Sequence, residues 1–393
     1  MRGLAFTAGF LFSFRLVLPF LSVRLMGMDA SAGSATAIGL DLLLLGLICF
    51  DTTSPSRNIF ERLTCGGGFR WAVAFLLFSL CSMLWSDTSS VADSMAYWMG
   101  MAADAGIVSL LLCRDSPLEE SQAILKGFIW STCCVAILAW ALPTQADLRL
   151  GDDLYLNANE IGNACAFAIF FAQYLMRRRD GNWGMITLFL VVTLIRSLSK
   201  TTLVAFFISE AVLLFCDRSL SRKTKAALIS LTVALILSFW GLFEAYYDVY
   251  TTAGNQAETL TGRTAIWLYV FSAILDHPWT LWIGHGFDAW WKVVPAFGNE
   301  LFEARHAENE VLQQFYAYGV VGLMLLAGVY GSLWRQLRRL KNEPTRPLLL
   351  CFLLFILIRG LAEADAFDLL LPLWCVILMS SVAEEQRTRW SPL

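Results

Sequence analysis

The chain has 393 residues, of which 57% are hydrophobic and only 16% are charged, and its formal net charge is −3. This balance excludes an ordinary soluble globular domain, in which about 25% of the residues are charged. The sequence also has no basic or low-complexity segment of the kind that binds nucleic acid. We therefore predict an all-α polytopic membrane protein.

Twelve apolar segments are long enough, or nearly long enough, to cross about 30 Å of hydrocarbon as helices. They lie near residues 4–23, 35–50, 69–85, 91–112, 122–142, 155–176, 183–196, 199–216, 226–243, 311–333, 347–362 and 366–383. Several are short, so we expect some of these helices to be tilted or buried in protein. The sequence Ala30-Ser31-Ala32 resembles a signal-peptide cleavage site, but Arg15 and Arg24 favour an uncleaved first span.

The basic residues between the spans indicate the orientation in the membrane. If both termini are cytoplasmic, twenty of the 29 Lys and Arg residues fall on the cytoplasmic side, as the positive-inside rule requires. Few basic residues then remain on the outer side, and we treat these as functional candidates. They include Arg149, Arg196, Lys200, Arg263 and Arg305.

One long extramembrane segment, residues 244–310, separates nine N-terminal helices in residues 1–243 from three C-terminal helices in residues 311–393. It contains every histidine of the chain, namely His277, His285 and His306. Long loops carry function more often than short ones. We therefore expect the chemistry of the protein to lie in this segment.

Within it, "TGRTAIWLYVFSAILDHP" predicts a short helix between a cap at Thr261 and a stop at Pro278. Fifteen helical residues extend only about 22 Å, which is too short to cross a bilayer comfortably. We expect an interfacial helix with Arg263 in its first turn. A single arginine at such a place can also be a simple lipid-headgroup contact.

The stretch "EARHAENEVLQQFYAYGVVGL" places several polar side chains directly before an apolar helix. Each would cost free energy there unless it is paired or used. If residues 306–313 are helical, Glu308 points about 160° away from His306 and the two do not share a site. If the helix starts only near Asn309, Glu308 lies in the preceding loop and can turn toward an arginine. The sequence leaves both arrangements open.

These residues resemble the signature of the O-antigen ligase and O-antigen polymerase superfamily: "GRTAIW", an "IGHG" turn and "HAENEVLQQFYAYGVVGL". The upstream stretches "LWSDTSSVADS", "LNANEIG" and "RSLSKTTL" match in the same order. The resemblance implies a glycosyltransferase of the bacterial inner membrane with a periplasmic active site. Its donor would be a glycan on undecaprenyl pyrophosphate, and its acceptor a lipid A core or another lipid-linked glycan. The resemblance does not separate ligase from polymerase.

The resemblance also implies roles for individual residues. Glu308 stands where the family often has a histidine, whereas His306 matches an earlier histidine and Asn309 and Gly319 keep the family's spacing. The catalytic base is therefore either His306 or Glu308, and the reference pKa of histidine, about 6.5, narrowly favours His306 over a glutamate at about 4.3. Arg263 joins them as a catalytic, pyrophosphate-binding residue. Further pyrophosphate or glycan contacts are expected at Arg149, Arg196, Lys200, Arg305, Asn309 and Asn159.

The chemistry of these residue types agrees with that assignment. A guanidinium binds phosphate oxygens in a bidentate way and stays charged, and a His or Glu can accept the proton of an acceptor hydroxyl. Direct attack by that hydroxyl would invert the anomeric carbon. The resemblance implies a reaction without metal or other cofactor. We accordingly expect the acidic groups Asp152-Asp153 and Glu363, Asp365 and Asp368 to be solvated carboxylates rather than metal ligands.

A competing hypothesis is a membrane transporter or a flippase of polysaccharide precursors. Ionisable residues within the predicted spans, Arg15, Asp41, Asp104 and Glu210, would suit such a function. However, the two halves of the sequence show no inverted repeat, and a transporter needs no long outer segment that holds every histidine. We favour ion pairs that fix helix packing. A scaffold protein would leave the outer arginines unexplained.

Overall fold

The computed structural model describes the chain except residues 1, 52–60, 62–63, 65, 114–115, 146, 153, 218–220, 253–259, 290–305, 341–342 and 390–393. The described residues form α-helices and one 3-10 helix, with a single isolated β-bridge between Asp152 and Leu156. The predicted all-α class is confirmed. The candidate residue Arg305 lies outside the described residues.

In chain order the helices are α1 (Arg2–Phe14), α2 (Leu18–Arg24), α3 (Ala30–Asp51), α4 (Gly67–Ser82), α5 (Val91–Leu112), α6 (Pro117–Ala141), α7 (Ala158–Arg177) and α8 (Gly184–Ser197). They continue with α9 (Lys200–Cys216), α10 (Arg222–Ser238), α11 (Trp240–Thr252), α12 (Leu260–Leu275), α13 (Pro278–Ile283), α14 (Glu310–Arg339), α15 (Arg346–Arg359) and α16 (Leu373–Arg389). Each of the twelve predicted spans overlaps at least one of these helices.

Five helical stretches of the described chain are long and apolar enough to cross a membrane: Gly3–Arg24, which joins α1 and α2, together with α3, α5, α6 and α14. The pair α10 and α11 is a sixth candidate, broken by a bend of 48°. Other helices are shorter. Helix α8, for example, has 14 residues and extends only about 21 Å. The polytopic membrane class is therefore confirmed, while the number of twelve spans stays a prediction.

The described residues cluster into two compact units that alternate along the chain. The first contains Met1–Leu44, Leu118–Gly254 and Lys341–Phe355. Within it, α1 and α6 approach backbone to backbone. A Cβ added to Gly9 would lie 1.8 Å from the carbonyl oxygen of Ile124, and one added to Gly127 would lie 2.0 Å from that of Phe6. Small residues permit this close packing, as is common between membrane helices.

Polar contacts between elements hold three ionisable residues of the first unit, Arg15, Asp41 and Glu210. The guanidinium of Arg15 lies 3.9 Å from the carboxylate of Asp41 on α3. Glu210 on α9 accepts a hydrogen bond of 2.8 Å from Gln173 on α7. The contact of Arg15 with Asp41 is an ion pair of the kind that we expected, whereas the hydrogen bond to Glu210 comes from a neutral amide.

The second unit contains Leu45–Pro117, Asn255–Leu340 and Ile356–Leu393. Here α14 packs against α4, α12, α13 and α16, and it is interrupted at Gly319, whose φ of 61° and ψ of −152° are not helical. Such angles are essentially restricted to glycine. A Cβ on Gly319 would also lie 2.4 Å from the carbonyl carbon of Trp282, so the end of α13 fits directly against the break.

The segment predicted as a long outer loop contains α12 and α13. Helix α12 ends at Leu275, before Pro278 as predicted, but it already includes Leu260, so the predicted cap at Thr261 is wrong. Pro278 occupies the first turn of α13 rather than only ending α12, because its fixed φ suits the start of a helix.

Candidate functional site

The start of α14 decides between the two arrangements that the sequence left open. Asn309 is the N-cap: its Oδ1 accepts a hydrogen bond of 3.0 Å from Leu312 N, and its Nδ2 donates one of 3.0 Å to Leu361 O. The helix therefore begins at Glu310. Glu308 lies in the preceding loop with a φ of 51°, so the hypothesis of a helix through residues 306–313 is wrong.

The side chains of three predicted site residues meet at this loop, namely Arg263 from α12 and His306 and Glu308 from the loop itself. The Arg263 guanidinium lies 3.3 Å from Oε2 of Glu308, and Nδ1 of His306 lies 3.6 Å from Oε1 of the same carboxylate. The three side chains expose between 20% and 29% of their surface, so a substrate can reach them. The carboxylate of Glu308 thus lies between a permanent cation and an imidazole.

The backbone around this cluster is held by α12. Trp267 lies one helical turn after Arg263 and therefore on the same face of the helix. Its Nε1 donates a hydrogen bond of 2.9 Å to Ala307 O, and Ala307 is fully buried in a cluster with Ile266 and Tyr316. Because Trp267 fixes α12 against the loop, Arg263 is placed beside Glu308. Nε of Arg263 is buried and has no hydrogen-bond partner among the described residues.

The protonation of His306 determines what this cluster can do. Glu308 N–H points at Nδ1 of His306 at 3.4 Å, which requires an unprotonated Nδ1. When Nδ1 carries the proton instead, it faces the Glu308 carboxylate at 3.6 Å and Nε2 is free to accept a proton. Both distances are long for hydrogen bonds, and contacts of this kind often tighten when substrate binds.

The glycine turn after α13 lies against the interruption in α14. His285 N donates to Tyr316 O at 3.0 Å, and Gly286 N donates to Ala317 O at 2.8 Å. These bonds satisfy two carbonyl groups near Gly319, where the helical pattern is broken. The ten-residue spacing between Asn309 and Gly319 therefore has a structural reason: it separates the N-cap from the break that receives this turn.

A second polar cluster lies in the first unit. Arg149 is buried and donates a short hydrogen bond from its guanidinium to Oδ1 of Asn159, and it also lies 3.8 Å from Asp147. Arg196, in the last turn of α8, donates a hydrogen bond of 2.6 Å to Leu148 O. The structure thus brings Arg149 and Asn159 together and ties Arg196 to the same loop.

Lys200 has a different neighbour. Its ammonium group lies 5.1 Å from the centre of the Tyr246 ring, within the range of a cation–π interaction. Asn309, which was expected to contact substrate, uses Oδ1 of its amide in the cap and Nδ2 in the hydrogen bond to Leu361 O. A role in substrate binding at these two positions stays a prediction.

Three of the carboxylates that we expected to be solvated are not. Asp152 is largely covered and forms a 2.7 Å ion pair with Arg24, and Glu363 is buried. Asp368 is partly buried, and its carboxylate accepts hydrogen bonds from Leu369 N at 2.7 Å and Leu373 N at 3.2 Å. Burial raises the pKa of Asp152, but the hydrogen bonds from Arg24 and from two backbone amides outweigh it and lower the pKa overall. Asp365 is exposed as expected, whereas Asp153 lies outside the described residues. Among the described residues no three His, Cys, Asp or Glu side chains are grouped as metal ligands would be.

Sequence reasoning missed a network that joins two of the recognised motifs. His285 Nδ1 lies 3.3 Å from Asp87, and Asp288 accepts hydrogen bonds from Ser94 at 2.6 Å and Thr88 at 3.1 Å. Burial raises the pKa of Asp288, although these two hydrogen bonds oppose the shift. The stretches "LWSDTSSVADS" and "GHGFDA" are about two hundred residues apart in the sequence. The only sequence signal for a contact between them was that both contain polar side chains.

Comparison with known proteins finds similarity to one family. A family model described as O-antigen ligase matches residues 185–327, a range that includes Arg196, Arg263, His306 and Glu308. The chain is also similar to an O-antigen ligase of Pseudomonas aeruginosa. The two are 28% identical over 316 residues, which cover 75% of this chain and 72% of that protein.

Proposed function

Since the chain belongs to the O-antigen ligase superfamily and is a membrane enzyme of glycosyltransferase type, we propose that it transfers a glycan from undecaprenyl pyrophosphate to a saccharide hydroxyl. The acceptor is the sugar of a lipid A core or of a growing polysaccharide. The reaction takes place at the periplasmic face of the inner membrane. It inverts the anomeric carbon and uses no metal.

The contact of Arg263 and His306 with one carboxylate, that of Glu308, carries this proposal. A sugar pyrophosphate already contains a good leaving group, so the enzyme needs a cation for the departing anion and a base for the acceptor. Arg263 supplies the cation, because its planar fork matches phosphate oxygens and does not lose its charge. Stabilisation of charge that develops on the leaving group is commonly the largest contribution to such catalysis.

We assign the role of base to Nε2 of His306 and that of positioning residue to Glu308. In the catalytic state the long contact from Glu308 N–H to Nδ1 gives way to the carboxylate. The carboxylate then holds a proton on Nδ1 and leaves Nε2 unprotonated, as the carboxylate does in other carboxylate–histidine pairs. The acceptor oxygen then attacks the anomeric carbon and gives its proton to Nε2. The bond between that carbon and the phosphate oxygen breaks, and undecaprenyl pyrophosphate leaves with the bonding electrons.

The remaining assignments rest on the sequence and on the family resemblance. Arg149, Arg196, Lys200 and Asn159 bind anionic or polar parts of the donor. Twelve spans, with both termini in the cytoplasm, place the segment 244–310 in the periplasm. The periplasmic position is required by the proposal, because a lipid-linked glycan of this kind is consumed there.

The assignment of the base is tested with purified His306→Ala and Glu308→Gln variants, given a lipid-linked donor and an acceptor saccharide. We expect His306→Ala to lose about 10²–10⁴-fold in turnover, the usual contribution of a general base, and Glu308→Gln to lose less. His277→Ala is the matched control, because His277 caps α13 only through its backbone. Near-normal turnover of His306→Ala together with an inactive Glu308→Gln would make the carboxylate the base.

A further inference from the structure

One buried side chain of α14 contacts the backbone of the loop that carries His306 and Glu308. Gln313 exposes only 3% of its surface, and its Oε1 accepts a hydrogen bond of 2.9 Å from Ala307 N. Ala307 is itself fully buried. A glutamine side chain therefore holds a backbone amide that lies between the proposed base and its partner carboxylate.

The reach of Gln313 follows from the cap at the start of α14. Asn309 is the N-cap, so Gln313 is the fourth helical residue, and its own N donates a hydrogen bond of 2.9 Å to Asn309 O. In a capping box, a Glu or Gln at the third helical position reaches back to the backbone N–H of the N-cap. Gln313 lies one residue later and reaches two residues beyond the N-cap, to the N–H of Ala307. The cap and the loop before it are thus joined into one structure.

Two side chains fix the two peptide units that flank the Cα atom of Ala307. Gln313 binds the N–H of the unit shared with His306. On the other side, Nε1 of Trp267 donates to the carbonyl of the unit shared with Glu308, at 2.9 Å. Each peptide unit is planar and includes the Cα atoms at both of its ends. The orientation of the first unit therefore places the Cα atom of His306, and that of the second places the Cα atom of Glu308.

The loop needs this support because part of its backbone is not in a relaxed conformation. Glu308 has a φ of 51°, in the left-handed region that residues other than glycine rarely adopt. Such a conformation persists only where the surrounding contacts hold it. Without the acceptor on Gln313, the Ala307 N–H would be a buried donor with no partner, and the peptide would turn toward another acceptor. Nδ1 of His306 would then lose its place 3.6 Å from the Glu308 carboxylate.

We propose that Gln313 is a positioning residue for His306. It acts through the backbone of Ala307 and holds the imidazole in the orientation from which Nε2 accepts the proton of the acceptor hydroxyl. The inference rests on the proposed function, which makes His306 the base. A misplacement of about 1 Å can reduce turnover by about 10²-fold, so this one hydrogen bond affects turnover more than it affects stability.

The proposal is tested with Gln313→Met, which keeps the length of the side chain but removes the amide oxygen. In nanodiscs the full chain should lose about 10–10²-fold in kcat, and the KM for the lipid-linked donor should stay within about twofold, since Arg263 rather than His306 binds the pyrophosphate. Gln313→Glu retains an acceptor oxygen and should keep more activity. Gln314→Met is the matched control, because Gln314 is equally buried at 3% and its Oε1 has no hydrogen-bond partner among the described residues.

A double-mutant cycle separates positioning from a general loss of structure. In the His306→Ala background, Gln313→Met should cause no further loss of turnover, because the side chain that it positions is gone. Independent effects would instead multiply the two losses. If Gln313→Met does not fold, Gln313→Asn takes its place, since its amide is one methylene too short to reach Ala307. Multiplied losses, unchanged turnover in Gln313→Met or an equal loss in Gln314→Met would overturn the proposal.

A second measurement does not depend on transfer. The full chain, with isotope-labelled rings in its three histidines, is observed by solid-state NMR in lipid bilayers, and the His306 signals are identified by their loss in His306→Ala. Gln313→Met should move these signals, as Glu308→Gln does, whereas Gln314→Met should leave them in place. If the wild type transfers no glycan but the signals move as expected, the proposed function fails and the placement of His306 by Gln313 is supported. Unchanged His306 signals in Gln313→Met would overturn the proposal at any turnover.

Discussion

Replacement of Arg263 by alanine should abolish transfer while leaving the fold intact. Arg263 and Glu308 expose 20% and 27% of their side chains, and ion pairs this accessible contribute no more than about 1 kcal/mol to stability. A donor aimed at charge developing in the transition state contributes about 2.7–4 kcal/mol, a factor of about 10²–10³ in turnover. Activity and stability should therefore respond very differently to the same substitution.

The assay compares initial rates of transfer in nanodiscs with the unfolding temperatures of the same preparations. Arg263→Lys should retain the charge but not the bidentate geometry, and should recover only part of the activity. Lys126→Ala is the matched control, since Lys126 and Asp180 form an ion pair of 2.7 Å and expose 35% and 26% of their side chains. Turnover of Arg263→Ala within about threefold of the wild type would refute the reasoning, as would an equal loss in Lys126→Ala.

Three further predictions concern the break at Gly319, the membrane topology and the ion pair of Asp152. Gly319→Ala should destabilise the protein by about 2–3 kcal/mol in thermal unfolding, because of its strained φ and ψ and the nearby backbone, whereas Gly331→Ala on the same helix meets no atom within 4 Å and should be neutral. In a chain without native cysteines, an impermeant thiol reagent should label Met26→Cys from the periplasm but Ser221→Cys only after lysis, and the reverse would contradict the topology. Asp152→Asn should lower the unfolding temperature at pH 7, because a carboxylate whose pKa is lowered by folding stabilises the protein above its unfolded pKa of about 3.9. The difference in unfolding temperature between variant and wild type should vanish as the pH falls through the pKa of Asp152 in the folded protein. A difference that grows in acid would contradict the ion pair.

Much of the helix pattern could be predicted from the sequence, because apolar length and composition decide which segments become membrane helices. The predicted span 91–112 coincides with helix α5. What composition could not predict is the interruption of α14 at Gly319, since a single glycine in an apolar helix is common. The break depends on the close approach of Trp282 from a distant segment.

The candidate site could likewise be predicted only in part from the sequence. The residue types of His306, Glu308 and Arg263 marked them as candidates, but their contact depends on whether the helix begins before or after Glu308. Asn309 decides this through its cap, and an asparagine before an apolar run is a recognisable start signal. The pairing of Asp288 with Ser94 had no such local signal, because it is a contact between distant parts of the chain.

The most direct test of the proposed chemistry is transfer by the purified protein in the presence of EDTA. The protein, in nanodiscs, receives a synthetic undecaprenyl-pyrophosphate glycan of known anomeric configuration and an acceptor saccharide, and the product is analysed by NMR. We expect a new glycosidic bond with the opposite configuration at the anomeric carbon, formed at the same rate with and without EDTA. A product with the donor's configuration, a rate abolished by EDTA, or no glycan transfer would contradict the proposed mechanism.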